Sequence, residues 1–450
     1  VESLASAKPW SIGEIHEGES IPKNGFLHLG YKGMGLPRSI FVSQVLLLGL
    51  RGDPEAPEIP WDQLLAKARD RFERLVPAAF GEHGRHKQFK MWGWMISGEF
   101  QLDDSLIAWR NAGGVDYTQN ERVRWINLQW VSELLQREDG GYWIRRHEGA
   151  SFNQRYAYPP HTDRWNNFSN SLALLSGKEM GAMLWSWNHT IRPGFASQPP
   201  EVRWDFKGKP YKALSTLLHW PEDKLEVHPA EIMPRPYVDQ ETGSVVFRNR
   251  WQDGNDVVID CWCGSADDWR NAVVLWARGK RTTLGFLGVS RPELGIVMPQ
   301  PSYQDVAGMK AWHDESGRKG AESKKAGPSK LVVAPEPSKD GSGTATYSYG
   351  NAIAVDFSFG GGVDVLVAMA GPGVDGLPDS GGVIRPGLRT ERWNEDFGPL
   401  ASDNILNVGN RKVRITTIGE GPHPKPKIDG DTVIVGRRTV SFTDIGLKIN

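Results

Sequence analysis

Near Pro221 the hydrophobic pattern of this 450-residue chain changes period. Downstream, short β-branched runs are separated by Gly, Asp, Asn and Pro: SVVFRNRW, DVVIDCWC, NAVVLWA, KLVVA, ATYSYG, IAVDFSF, VDVLVAMA, KVRITTI, DTVIVG and TVSFTDIGLKI. Such runs cannot bury their apolar face alone, and their close spacing leaves no room for helical crossovers. They predict an antiparallel β-sandwich. The charged, glycine-bearing stretch DESGRKGAESKKAGPSK, 314–330, is expected to be an exposed loop between strands.

Upstream, apolar residues recur at helical spacing. Helices are expected over 40–50, 61–75 (WDQLLAKARDRFERL, with an acidic first turn), 91–96, 121–135 (ERVRWINLQWVSELL), 170–175 and 211–218. No fixed-period repeat is evident. The chain is therefore expected to be an α+β multidomain protein: a helical domain over 1–222, then a large antiparallel β domain over 223–450. Clefts between domains are favoured places for ligands.

Charge narrows the partners. Lys plus Arg (53) nearly cancels Asp plus Glu (54), so no global field draws the chain to nucleic acid or to an anionic membrane. No apolar run is long enough to span a bilayer, which leads us to expect a soluble chain. The opening VESLASAK has no charged-then-apolar leader, so either the protein is cytoplasmic or a signal peptide has been removed. Cys261 and Cys263 have no second pair to complete a zinc site and read as small buried residues. The 19 tryptophans, most of them before residue 270, bring carbohydrate into consideration, because indole stacks on the apolar faces of sugars while its N–H meets a polar partner.

Positive charge does concentrate locally. DGGYWIRRHEGASFNQRYAYPPHTDRWNN, 139–167, holds Arg145, Arg146, Arg155 and Arg164 beside His147 and His161, with Tyr156, Tyr158 and Trp165 among them. Against these stand Asp139, Glu148 and Asp163. The planar fork of arginine matches carboxylate or sulfate, so an anionic sugar polymer is a natural guest.

The segment DGGY…EGASFNQRYAY resembles the surroundings of the catalytic tyrosine in heparinase II/III-like and alginate-type polysaccharide lyases. The block GSVVFRNRWQDGNDVVIDCWCG is similar to the start of their β domain, and DTVIVGRRTVSFTDIGLKI to its closing hairpin. The resemblance covers the layout of about two thirds of the chain. It implies an (α/α) toroid followed by a β-sandwich, with 1–222 short enough that the ring would be incomplete. It also implies a secreted or periplasmic enzyme that cleaves a uronate-containing glycan by β-elimination. That chemistry needs the uronate carboxylate neutralised, a base for the C5 proton and an acid for the departing O4 oxygen.

Carried over residue by residue, Tyr156 matches the family's tyrosine and is the first candidate for acid and base, although Phe152 stands where relatives often have another tyrosine. Arg155 is either a carboxylate clamp or a partner of Glu148, and His161 a base or neutraliser. Asn153, Tyr158 and Trp165 complete the expected lining. The family's Asn-His pair should lie upstream. GFLHLGYKGMG supplies His28 and Tyr31, but Leu27 occupies the asparagine's place. SWNHTIRPG supplies a true Asn188-His189 pair followed by Arg192, downstream of the tyrosine. A third cluster, FGEHGRHKQFKMWGW, offers His83 and His86.

Two further functions compete. One is a glycoside hydrolase using paired carboxylates such as Glu148 and Asp163. The other is a non-catalytic glycan binder. After residue 224 only His228, His313 and His423 remain, with no metal-ligand spacing, so no cofactor is expected to be required and a structural divalent metal has no spacing to support it. The expected partner is the anionic polysaccharide, with no nucleic acid and no membrane, and the chain is expected to act as a monomer or homodimer.

Overall fold

The computed structural model describes residues 54, 62, 81–84, 102–111, 115–136, 142–145, 157–158, 168–192, 217–239, 244–251, 254–262, 272–286, 331–334, 345–349, 353–371, 374, 397–443 and 446–450. The chain divides into two compact units. One comprises Val1–Val131, His161–His228 and Ser302–Glu322, the other Ser132–Pro160, Pro229–Pro301 and Ser323–Asn450. The helices expected over 40–50 and 91–96 and the loop over 314–330 lie outside the described residues, as do nearly all of 61–75 and 211–216.

The first unit is helical: α1 (Leu102–Asn111), α2 (Glu121–Leu128), α3 (Phe168–Leu174) and α4 (Gly177–Ser186). Asn120 starts α2, its side-chain oxygen accepting the Val123 N–H at 3.3 Å, and Glu121 complements the positive end of the helix. Val123, Ile126 and Leu128 of α2 are buried. Asn127, also buried, donates to the Val123 carbonyl at 3.0 Å and accepts from the Ser171 hydroxyl at 2.9 Å, which ties α2 to α3. The Arg124 guanidinium grips Glu179 with two nitrogens and ties α2 to α4, and this raises the Arg124 pKa further. Arg110, in the last turn of α1, donates to the Ala173 carbonyl at 2.7 Å. Gly84 is obligatory: a Cβ there would lie 2.3 Å from the Trp125 backbone. Among the described residues these four helices do not make an (α/α) toroid evident, and no helix is long and apolar enough to cross a membrane.

The helix expected over 121–135 ends at Leu128. A 3-10 turn, Gln129–Glu133, follows, and the chain then enters β1 (Leu134–Gln136). Tertiary partners outweigh helical propensity here. Leu134 pairs with Ile144 of β2 (Tyr142–Arg145), and the buried Arg248 guanidinium donates to the carbonyls of Ser132 and Leu134. β3 (Ala157–Tyr158) adds to β2, so part of the arginine- and tyrosine-rich segment forms a small antiparallel sheet.

The rest of the second unit is three antiparallel sheets in layers. The first is a meander of β4 (Tyr237–Asp239), β5 (Ser244–Arg248), β6 (Val258–Trp262), β7 (Ala272–Ala277) and β8 (Lys280–Phe286). The second has β9 (Leu331–Ala334), β10 (Thr346–Tyr349), β11 (Ile353–Asp356), β12 (Val363–Ala370), β13 (Ala401–Val408) and β14 (Arg411–Gly419), in the order β13-β14-β12-β11-β10-β9. The third is a meander of β15 (Lys427–Asp429), β16 (Thr432–Val435), β17 (Arg438–Thr443) and β18 (Gly446–Ile449).

The central strands of the middle sheet, β11 and β12, are buried on both faces. Val365, Val367 and Met369 of β12 join Val245, Phe247, Ile259 and Leu275 of the first sheet in one core. Leu366, Ala368 and Ala370 join Val433, Val440 and Leu447 of the third in another. That is why VDVLVAMA reads as a continuous apolar run rather than an alternating one. Val363 lies in the second core despite its odd parity, because the register shifts between Val363 and Val365. Buried Asp356 pins the middle sheet to the third. It accepts from Arg438 Nε at 2.7 Å and, on its other oxygen, from the Ser358 amide at 2.8 Å.

Candidate functional site

Asn188, His189 and Arg192, all expected at the site, lie at the end of α4, within the helical unit. There the helix widens into a single π turn, Trp187–Ile191, closed by the Arg192 N–H to the Trp187 carbonyl. π turns insert a residue into the helical register and recur where a side chain must be re-aimed. Ser186 donates its hydroxyl to the Ala182 carbonyl at 2.8 Å just before the widening.

A strap, 225–228, runs along α4 and completes the cluster. Its approach is set by Gly181, whose carbonyl accepts the Val227 N–H at 3.1 Å. A Cβ at position 181 would meet Val227 Cγ2 at 2.6 Å and the Leu225 carbonyl oxygen at 2.9 Å. Glycine inside a helix costs about 1 kcal/mol relative to alanine. Here it admits the strap against the helix backbone.

The strap delivers Glu226 to the Asn-His pair. Asn188 Nδ2 donates to Glu226 Oε1 at 2.6 Å, and His189 Nε2 lies 2.7 Å from Glu226 Oε2. Chemistry fixes both orientations. The opposite amide flip would set two acceptors against each other, and Nε2 must carry a proton to donate to a carboxylate. Asn188 and His189 therefore form a two-donor fork closed on a single carboxylate. Among the described residues, the buried Asn188 Oδ1 has no hydrogen-bond partner. An acceptor in that state costs about 1–3 kcal/mol.

Aromatic rings frame the fork. Trp185 and His189, four residues apart on one helix face, stack with centroids 4.8 Å apart and planes 17° from parallel. His228 meets the same indole edge-on at 4.8 Å, and Trp187 meets Trp220 edge-on at 6.2 Å. Arg192 is exposed.

Of the other expected site residues, Tyr158 is placed by its backbone in β3, opposite Ile144. His28, Tyr31, Glu148, Asn153, Arg155, Tyr156, His161 and Trp165 lie outside the described residues, as does His86. His83 is described, its ring edge-on to Trp125 at 5.1 Å. Among the described residues no group of three His, Cys, Asp or Glu side chains is placed to hold a metal ion.

Sequence reasoning missed Glu226, Trp185, His228 and Gly181. Glu226 and His228 fell on the far side of the expected boundary, where the pattern reads as strands. The signal for Trp185 was its i,i+4 spacing to His189 within LWSWNH.

No protein-family model matches the sequence, and no curated protein matches it.

Proposed function

We propose that the chain is a polysaccharide lyase acting on an acidic, uronate-containing glycan. The observation that carries this reading is the convergence of Asn188 Nδ2 and His189 Nε2 on one carboxylate. β-Elimination begins with a pair of this kind. When donors neutralise the uronate carboxylate, the negative charge that develops as the C5 proton leaves is delocalised into a stabilised group. In this reading a substrate carboxylate sits where Glu226 now does.

β-Elimination further requires a base that takes the C5 proton, while the C–H electrons form the C4–C5 double bond and the C4–O4 bond breaks, and an acid that protonates O4. The family resemblance implies Tyr156, outside the described residues, for these proton transfers. Trp185, Trp187 and Trp220 are the candidate platforms for sugar rings. The helices of the first unit belong, in this reading, to an open (α/α) toroid, the layered sheets are its sandwich domain, and the protein is secreted or periplasmic.

The test is incubation with alginate, heparan, chondroitin, hyaluronan, glucuronan and ulvan, followed in the ultraviolet. A lyase produces new absorbance from the unsaturated sugar. Reducing ends released without that absorbance would indicate the hydrolase. One observation favours a second reading, a glycan-binding module: Glu226 already fills the fork. Binding of one of these polymers without either product would establish it.

A further inference from the structure

We propose that Glu226 is a built-in substitute for the ligand carboxylate, a side-chain plug that must leave the Asn188–His189 fork before a uronate enters. The proposal rests on reading the fork as a carboxylate seat.

Three observations support it. First, both Glu226 oxygens are engaged, one by each donor, at 2.6 and 2.7 Å, which is how the fork would hold a uronate. Two carboxylates cannot share that seat, because like charges at such separation repel. Second, the side chain is only partly covered, with 35% of it exposed, so rotation about its own bonds carries the carboxylate into water. Third, the backbone beneath it is held on both sides. The Val227 N–H is bound to Gly181, and a turn precedes the strap, with the Lys224 N–H on the Pro221 carbonyl at 3.3 Å. The plug therefore opens by a side-chain movement while the strap stays in place.

A plug of this kind sets a threshold. A ligand that binds only the open state has its apparent affinity reduced by the open fraction, so a plug closed nine-tenths of the time weakens binding about ten-fold. A single acidic sugar has little besides its carboxylate to overcome that. A polymer also offers neighbouring rings to the surrounding tryptophans and gains their binding energy. The site would thus favour chains over monomers.

The test is calorimetric titration of the full chain with sodium glucuronate. Glu226→Ala should bind it about ten-fold more tightly than the wild type. Glu226→Gln, which can satisfy one donor but opposes the other, should show a smaller gain. Asn188→Ala added to Glu226→Ala should abolish the gain. Unchanged or weaker binding by Glu226→Ala would overturn the proposal. If that variant does not fold, the same criterion applies to Glu226→Gln, which preserves side-chain volume. Because the readout is binding, it separates from the lyase reading. Tighter glucuronate binding with no elimination of any polymer leaves the plug standing and rejects the lyase. Elimination by the wild type with no gain in Glu226→Ala rejects the plug alone.

Discussion

Gly181→Ala tests whether close packing of the strap builds the site. Three terms compete. Alanine favours the helix by about 1 kcal/mol. Against that, the new methyl would lie 2.6 Å from Val227 Cγ2 and 2.9 Å from the Leu225 carbonyl oxygen, well inside contact distance. Valine is stiff about χ1 and the second obstacle is backbone, so a rotamer change cannot relieve both. Overpacking of this sort costs about 1–3 kcal/mol. The strap must move away, which also weakens the 3.1 Å bond from the Val227 N–H to the Gly181 carbonyl, a loss of about 1 kcal/mol. The losses outweigh the propensity gain, leaving the strap destabilised by about 1–3 kcal/mol. Native-state hydrogen exchange reads this locally. The Val227 amide should exchange roughly 5–150-fold faster in the variant, since about 1.4 kcal/mol is a factor of ten. Slower exchange, with a helix stabilised by about 1 kcal/mol, would mean that propensity alone governs the position and that glycine has no role in seating Glu226.

Two further predictions concern the stability of each unit by itself. Asp356→Ala removes a fully buried carboxylate and strands its partner Arg438, so the β unit should lose about 3–5 kcal/mol in denaturant unfolding, and Asp356→Ala with Arg438→Met should recover part of that loss. At Asp116, burial alone would raise the carboxyl pKa, but hydrogen bonds from the Thr118 hydroxyl and amide, with the Arg110 charge, outweigh it and hold the group below its ordinary value. The stability contributed by the ionised group is therefore fully present above the unfolded-state value, about 3.9, and is lost as pH falls through the lower folded-state value. The stability difference between wild type and Asp116→Ala, measured by urea unfolding from about pH 6 down to about pH 2, should shrink toward acid. A constant difference would contradict this assignment of the cap.

Among the described residues the strands of the β half were legible in the sequence, and for a physical reason. Runs such as SVVFR and TVIVG carry their own period and are bounded by turn residues, and the strands β5 (Ser244–Arg248) and β16 (Thr432–Val435) coincide with them. β13 (Ala401–Val408) was missed because ASDNILNV is an edge strand whose mixed polar residues give no clean apolar face. The 121–135 helix is overextended because nothing local reveals that Leu134–Gln136 pairs as a strand with Tyr142–Arg145. The candidate site was legible in part. Asn188-His189 stands out as an adjacent pair, whereas Glu226 is an ordinary glutamate until Gly181 admits the strap that carries it.

The central claim is that Asn188 and His189 hold a uronate carboxylate for elimination. The most direct measurement is the initial rate of ultraviolet-absorbing product formation from a uronate polymer that the wild type accepts, compared with Asn188→Ala at equal concentration. Measurable elimination by the wild type is expected, with a rate lower by about 10²–10³ in the variant, the cost of removing one donor from a site where negative charge develops. No unsaturated product from any acidic polymer, or a variant rate equal to that of the wild type, would contradict it.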